Sequence, residues 1–225
     1  MTNRLTTDDG PSWVRLTFVG PVLERVVMEE LAERLDGLAK RQPSKPLILA
    51  SAHPRIFLAG AHLAEIAALD ATSSVDYAAS GRAVMARLDN FPSATVAAVA
   101  GSCSGGGFDL VLSCDRIVAE PSASFSHPGV RRGLVTGWGG TTRLPPAVGR
   151  TAARRALLQA VDLGAKEAED MGFATRSTGD VATDAIRLAV RLAGLHTARL
   201  ATWRHLRDRP RGGYWGTPCV TGYNC

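Results

Sequence analysis

The chain has 225 residues, of which 45% are hydrophobic, so it can form one large domain or two small ones with a substantial core. Its formal net charge is +5 and its sequence pI about 9.4, but the basic residues are not concentrated in one block with interleaved aromatic side chains. Nucleic acid is therefore only a weak alternative as a partner. No apolar run approaches the roughly 20 residues of a membrane-spanning helix, so the composition predicts a soluble protein without a membrane span.

The ends of the chain and the cysteines favour a cytoplasmic protein. Residues 1–12 are polar, lack the apolar segment of a secretory signal and are predicted to be disordered. Residues 196–225 are predicted to form a short helical segment and an irregular tail, because glycine and proline are frequent from Arg209 onward. The four cysteines show no Cys-x-x-Cys pair and no metal-ligand spacing, so buried, unreactive thiols and no metal site are predicted.

Predicted strands and helices alternate along the first 120 residues. Trp13 to Val19 alternates apolar and polar residues as a half-buried strand does, and Val22 to Leu38 shows helical spacing. Further strands are predicted at 47–50, 95–100 and 116–120, and further helices at 63–69, 75–88, 109–114, 151–159, 165–171 and 181–195, while residues 133–150 are predicted to form a glycine-rich loop. Such alternation is typical of parallel strands joined by helical crossovers.

Two glycine-bearing turns each connect a predicted buried strand to a predicted helix. The first runs from Arg55 to Leu63, and the second runs from Ser102 to Asp109. Glycine lets the backbone approach a ligand closely, and the first N–H groups of a helix lie at the positive end of its dipole. If the two turns converge, their N–H groups can stabilise negative charge that develops on a carbonyl oxygen.

The order and spacing of several segments resemble the crotonase family, that is, the enoyl-CoA hydratase/isomerase superfamily. The matching segments are Phe57–Leu63, Ala97–Leu110, Cys114–Ala119, Phe125–Pro128, Gly133–Val135 with Gly139–Pro145, and Ala165–Ala168 with Met171–Phe173. The resemblance implies an α/β fold with a crotonase-like ββα spiral core over residues 13–195. It also implies that the C-terminal helical region is shortened here.

The resemblance further implies a substrate, an assembly and a site. Members bind acyl-CoA thioesters in fatty acid metabolism and form trimers or hexamers, and coenzyme A enters as part of the substrate with no separate cofactor. The thioester oxygen is expected to accept hydrogen bonds from the N–H groups of Ala61 and Gly106. The expected substrate-binding positions are Ala59, Gly60, His62, Leu63, Gly105, Gly129 and Trp138.

One departure from the family pattern bears on catalysis. Hydratases of this family use two glutamates, whereas the corresponding positions here hold Asp109 and Gly129. Paired carboxylates let one group activate water while the other transfers the α-carbon proton, and each is worth roughly 10²- to 10⁴-fold in rate. Asp109 is therefore the predicted catalytic carboxylate of a hydratase- or isomerase-like lyase. The alternatives are a member that binds acyl-CoA or a partner without turnover, and another crotonase-type reaction such as isomerisation, decarboxylation or thioester hydrolysis.

Several motif residues have a structural interpretation beside the functional one. Asp109 also suits the first turn of a helix as a favourable charge at the dipole. His127 is interpreted as a structural hydrogen-bonding residue in preference to a titrating one, and His62 as an exposed residue in preference to a contact of the CoA phosphates. Trp138 is either a wall of the substrate pocket or part of the core. Asp115 is interpreted as structural, at a strand start or in a salt link.

Overall fold

Residues 3–195, 200–202 and 204–205 are described by the computed structural model. The strands are β1 (Leu5–Asp9), β2 (Val14–Phe18), β3 (Val22–Leu23), β4 (Leu47–Ser51), β5 (Ile56–Leu58), β6 (Gly60–Ala61), β7 (Thr95–Val99), β8 (Ser102–Ser104), β9 (Arg116–Ala119), β10 (Ser124–Ser126), β11 (Leu163–Gly164) and β12 (Thr175–Arg176). The helices are α1 (Arg25–Arg41), α2 (Leu63–Ala67), α3 (Ala71–Asp89), α4 (Gly106–Leu112), α5 (Gly140–Val148), α6 (Arg150–Gln159), α7 (Ala165–Asp170) and α8 (Val181–Ala193), with a 3-10 helix at Pro128–Arg132.

The largest sheet has the strand order β1-β2-β4-β7-β9-β12, and it contains the four strands that the sequence pattern predicted, β2, β4, β7 and β9. From β2 to β12 the neighbouring strands are parallel, which confirms the predicted crossover topology. Strand β7 is buried along its whole length because α8 packs on one face of the sheet and the main core lies on the other. A parallel strand covered on both faces needs a continuous apolar run, and Thr95–Val99 provides one.

A second sheet is built from very short strands in the order β11-β10-β8-β5. Its strands have two or three residues each, too few for an alternating pattern to show, so they were not predicted. Strand β8 pairs in parallel with β5 and with β10. This pairing places the two glycine-bearing turns side by side.

The prediction of a disordered segment over residues 1–12 is wrong for residues 5–9. These residues form β1, which pairs antiparallel with β2 at the edge of the large sheet. Leu5 is fully buried, while Asp8 forms an ion pair with Arg15 and Asp9 one with Lys45. A strand with one buried residue and four exposed polar ones gives little periodic signal, and its charges discourage edge-to-edge association.

Each predicted helix overlaps a helix of the structure, with three shifted starts, and the prediction of a loop over residues 133–150 is wrong for α5. Helix α3 begins at Ala71, four residues before the predicted start at Val75, because Asp70 and Ser73 form a capping box there. Helix α1 begins at Arg25 because Val22–Leu23 pairs with β6 as strand β3. Helix α4 begins at Gly106, three residues before the predicted start at Asp109, so the glycines belong to its first turn. Among the described residues no helix is long and apolar enough to cross a membrane.

Two apolar clusters hold the layers together. The larger contains four fully buried phenylalanines (Phe18, Phe57, Phe108 and Phe125), and the smaller joins the outer face of the large sheet to α8 through Ala185 and Ala189. Cys103 and Cys114 are buried, as predicted, and burial raises the pKa of the Cys103 thiol well above its ordinary value. Cys219, Cys225 and the predicted irregular tail lie outside the described residues.

A buried ion pair ties residue 204 to the end of the large sheet. The Asp115 carboxylate accepts hydrogen bonds from the Thr95 N–H (2.9 Å) and Thr95 hydroxyl (3.1 Å). The Arg204 guanidinium donates to both oxygens of Asp115, at 2.8 and 2.9 Å, and also to the carbonyls of Phe91 and Ser93. Asp115 is thus structural, as its position at a strand start indicated.

Candidate active site

The two glycine-bearing turns are in direct contact. Gly60 has φ +94°, a left-handed conformation that favours glycine, and a Cβ at this position would lie 2.9 Å from the Gly106 nitrogen. The Ser104 hydroxyl donates a hydrogen bond to the Ala59 carbonyl at 3.1 Å, and the Gly105 N–H donates to the Ser126 carbonyl at 2.9 Å. The backbone of one turn is therefore fixed against the other.

A cavity of about 480 Å³ opens beside this contact. Of the residues predicted from the sequence, Ala59, Ala61, Leu63, Gly105, Gly106, Asp109, Gly129 and Trp138 line it. Gly60 and His62 are not among its lining residues, and Gly60 is buried behind them. Gly106 is the first residue of α4, so its N–H has no acceptor within that helix.

Other parts of the lining come from segments that the sequence analysis did not connect to the site. They are mostly apolar and include Leu69, Tyr77 and Ala78 near or on α3, Thr136 and Leu134 in the loop after the 3-10 helix, and Arg154, Leu157 and Leu158 on α6. The helical periodicity of α3 and α6 showed which residues share a face, but no signal indicated that these faces meet the glycine turns.

Asp109 is the only carboxylate that lines the cavity within the described part of the chain. It is 1% exposed, and burial raises its pKa from the ordinary 3.8 to about 6. Several neighbours lower this pKa and so partly offset the effect of burial. They are the Thr136 hydroxyl, which donates to Oδ2, the positive charge of Arg143, and the N–H groups of Trp138 and Gly140. The start of α5 at Gly140 thus places a helix N-terminus against a buried carboxylate.

His127 lies on the other side of Asp109. The side chain is 5% exposed, and its ring stacks on Phe108 with 5.0 Å between the ring centroids. The Nε2 atom of His127 lies 3.4 Å from Oδ1 of Asp109. Burial lowers the pKa of His127 to about 4, so the imidazole is neutral at physiological pH.

Trp138 both lines the cavity and belongs to the core, so the two interpretations of this residue, pocket wall and core packing, are both correct. It is 4% exposed, and its ring packs beside Tyr77 with 5.7 Å between the centroids. The ring also lies directly against two glycines, because a Cβ on Gly106 would be 2.4 Å from it and a Cβ on Gly81 only 2.0 Å. Trp138 therefore fixes the width of the cavity next to Gly106.

This contact predicts the effect of Gly81→Ala. Alanine in a helix interior is ordinarily more stable than glycine by about 0.5–1 kcal/mol. At Gly81 the added methyl group meets the rigid indole of Trp138, so we expect a destabilisation of about 1–3 kcal/mol in urea unfolding. Gly37→Ala on α1 is the matched control, since its methyl group meets only the flexible end of Arg41 and should stabilise. Stabilisation by both substitutions would contradict the close packing of Trp138.

Gly129, where hydratases of the crotonase family carry the second glutamate, lies in the 3-10 helix and lines the cavity. A Cβ at this position would touch only Leu134, at 3.4 and 3.5 Å, which is ordinary van der Waals contact. Its backbone is not in the left-handed region. The fold therefore has room for a side chain where the sequence has none.

Comparisons with known proteins agree with this architecture. The family model described as enoyl-CoA hydratase/isomerase matches residues 19–207. A human protein named methylglutaconyl-CoA hydratase, mitochondrial, is 34% identical over 151 residues, which cover 67% of this chain and 44% of that protein. A probable enoyl-CoA hydratase of Mycobacterium leprae is 34% identical over 167 residues, which cover 72% of this chain and 63% of that protein. The chain thus spans about half the length of the curated relatives that it matches.

Solved structures share the fold. The crystal structure of an enoyl-CoA hydratase from Bacillus anthracis superposes with a TM-score of 0.82 at 25% sequence identity, covering 90% of this chain and 81% of that one. The matched range, the glycine turns and the sheet order all lead to one assignment: the chain belongs to the enoyl-CoA hydratase/isomerase family of the crotonase superfamily.

Proposed function

We propose that the protein binds an acyl-CoA thioester in the 480 Å³ cavity and transfers a proton between carbons of its acyl group. The observation that carries this proposal is the position of Asp109, the only carboxylate among the described residues that lines the cavity, beside the two glycine turns. Family membership and relatives named as methylglutaconyl-CoA hydratase and probable enoyl-CoA hydratase support the substrate class. Coenzyme A belongs to the substrate in this proposal, and no further cofactor is invoked.

The N–H groups of Ala61 and Gly106 are proposed to hold the thioester oxygen. Both residues line the cavity, and the turns that carry them touch at Gly60. Loss of a proton from the α-carbon moves the C–H electron pair into an enolate, whose negative charge lies on this oxygen. Amide donors already in place stabilise that charge, and one such donor is worth about 3–4 kcal/mol in a well-studied enzyme.

Asp109 is proposed to take the proton and return it to another carbon, which shifts the double bond. One carboxylate suffices for this reaction, because the base that removes the proton is the acid that replaces it. Addition of water to the double bond needs a second group to activate the water. Position 129, where such a group would stand, holds glycine, so the cavity favours isomerisation over hydration.

The proposal is tested by two assays on the purified protein. We expect isomerisation of a 3-enoyl-CoA to be measurable, and hydration of crotonyl-CoA to be at least about 100-fold slower. Hydration faster than isomerisation would overturn the assignment of a one-carboxylate reaction.

Gly129→Glu is expected to raise hydration of crotonyl-CoA by about 10²-fold or more, because it supplies the second carboxylate in space that the fold leaves open. The matched control is Gly129→Gln, which has the same size and no charge. Equal rates in the two variants would show that a carboxylate at this position does not complete the site.

A second candidate function is acyl-CoA binding without turnover. It is favoured by the absence of a side chain at Gly129 and by the near-complete burial of Asp109. Micromolar binding of an acyl-CoA in calorimetry, together with no conversion in either assay, would select it.

A cytoplasmic location and a homotrimer or homohexamer are proposals as well, and sedimentation of the purified chain tests the assembly.

A further inference from the structure

Two buried polar atoms without a partner face each other in the site. In the part of the chain that the structure describes, four buried side-chain nitrogen or oxygen atoms lack a hydrogen-bond partner, and Asp109 Oδ1 and His127 Nε2 are two of them. They lie 3.4 Å apart, and their side chains are 1% and 5% exposed. Because buried polar groups nearly always find a partner, two such atoms side by side indicate a shared role.

Whether this contact is attractive depends on which ring nitrogen of His127 carries the proton. A neutral imidazole carries one proton, on Nδ1 or on Nε2. With the proton on Nε2, the ring donates to the Asp109 carboxylate and a small movement completes the hydrogen bond. With the proton on Nδ1, two lone pairs would face each other where both side chains are almost fully buried. The carboxylate therefore selects the Nε2–H form.

The surroundings leave few other groups to take part. Oδ2 of Asp109 accepts from the Thr136 hydroxyl, and Arg143 on α5 contributes its positive charge. The N–H groups of Trp138 and Gly140 also lower the pKa of this carboxyl, and the carboxylate in turn raises the pKa of the buried Cys103 thiol on β8. The remaining side is closed by Gly140, where a Cβ would be 2.3 Å from Oδ1 and 2.8 Å from Nε2. Among the described side chains, the imidazole of His127 is thus the one placed to donate to Oδ1, at 3.4 Å.

We propose that His127 is a positioning residue for Asp109, whose Nε2–H donates to Oδ1 and keeps the buried carboxylate oriented and charged, ready to accept a proton. The inference deepens the proposed function and rests on it, because it assigns how Asp109 is held in the charged form. It differs from a packing role, in which the ring would only stack on Phe108.

The test measures the two groups directly by NMR, without relying on turnover. Nitrogen-15 shifts of the histidine ring report the tautomer, and the carbon-13 shift of the Asp109 carboxyl reports its titration. Single substitutions assign the signals among the five histidines of the chain. We expect Nε2–H at His127 and an Asp109 midpoint that rises by about one pH unit in His127→Leu, because the charged form loses a donor.

His127→Gln provides the rescue, since its amide N–H can occupy the place of Nε2–H. We expect it to restore the Asp109 midpoint, and we expect the acid limb of the kcat/KM profile to move with that midpoint in all variants. The exposed His205→Gln is the matched control and should change neither quantity. A proton on Nδ1 alone, or an unchanged midpoint in His127→Leu, would overturn the proposal. If neither assay shows turnover while the NMR results hold, the proposed function fails and the pairing of His127 with Asp109 stands.

Discussion

Asp109→Asn is expected to lower turnover by about 10²- to 10⁴-fold while raising the stability of the fold at pH 8. The loss of rate follows from removal of the only carboxylate that lines the cavity within the described residues. The gain in stability follows from burial, because asparagine occupies the same space without a charge.

The sign of the stability change follows from proton binding. The Asp109 pKa rises from 3.8 to about 6 on folding, so between these values the native state binds more protons than the unfolded state. The free energy of unfolding therefore falls as pH rises through this window, and the full penalty is present above pH 6. A shift of this size corresponds to at most about 3 kcal/mol, equivalent to an increase in Tm of several degrees in the variant.

Thermal unfolding of both proteins at pH 4 and pH 8 measures this effect. The difference in Tm between Asp109→Asn and the parent should be large at pH 8 and small at pH 4. Asp76→Asn, which changes an exposed carboxylate on α3, is the matched control and should show little difference at either pH. A lower Tm for Asp109→Asn at pH 8 would mean that the carboxylate stabilises the fold, contrary to the burial argument.

Arg204→Met is expected to destabilise the fold by about 3–5 kcal/mol, because it leaves the Asp115 carboxylate buried without its guanidinium partner. The side chains of the pair are 19% and 1% exposed, and Arg204 donates four hydrogen bonds in all. Urea unfolding measures the change.

The control for this prediction is Arg187→Met, which removes an ion pair with Asp184 whose arginine is 75% exposed. Exposed pairs contribute about 0–1 kcal/mol, so the two substitutions should differ by several-fold. The double variant Asp115→Asn with Arg204→Met should recover part of the loss, because no charge is then left buried. Equal effects of Arg204→Met and Arg187→Met would contradict a structural role for the buried pair.

The strands and helices that could be predicted are those whose apolar pattern is visible within a short stretch of sequence. The strands β2, β4, β7 and β9 and the long helices follow from apolar periodicity, and the order of the glycine motifs indicated the family. The short strands β5, β8 and β10 could not be found this way, because two or three residues form a strand only when neighbours supply the hydrogen bonds.

The residues of the candidate site could be predicted only where they belong to a motif that is contiguous in sequence. Ala61, Gly106 and Asp109 were found because the glycine turns that hold them are contiguous in sequence. Tyr77 and Leu157 line the same cavity but come from helices whose packing is decided by the whole fold. The contact of His127 with Asp109 was also missed, because the 17 residues between them give no indication that a ring nitrogen and a carboxylate oxygen will meet.

The packing of Trp138 constrains how this cavity could diverge among descendants of the chain. A side chain at Gly81 or Gly106 has no space while the indole is present, yet a smaller residue at position 138 would free that space at once. Mutations at these three positions are therefore epistatic, and their order matters. The tryptophan must therefore be exchanged first, and only then can a side chain be added at either glycine.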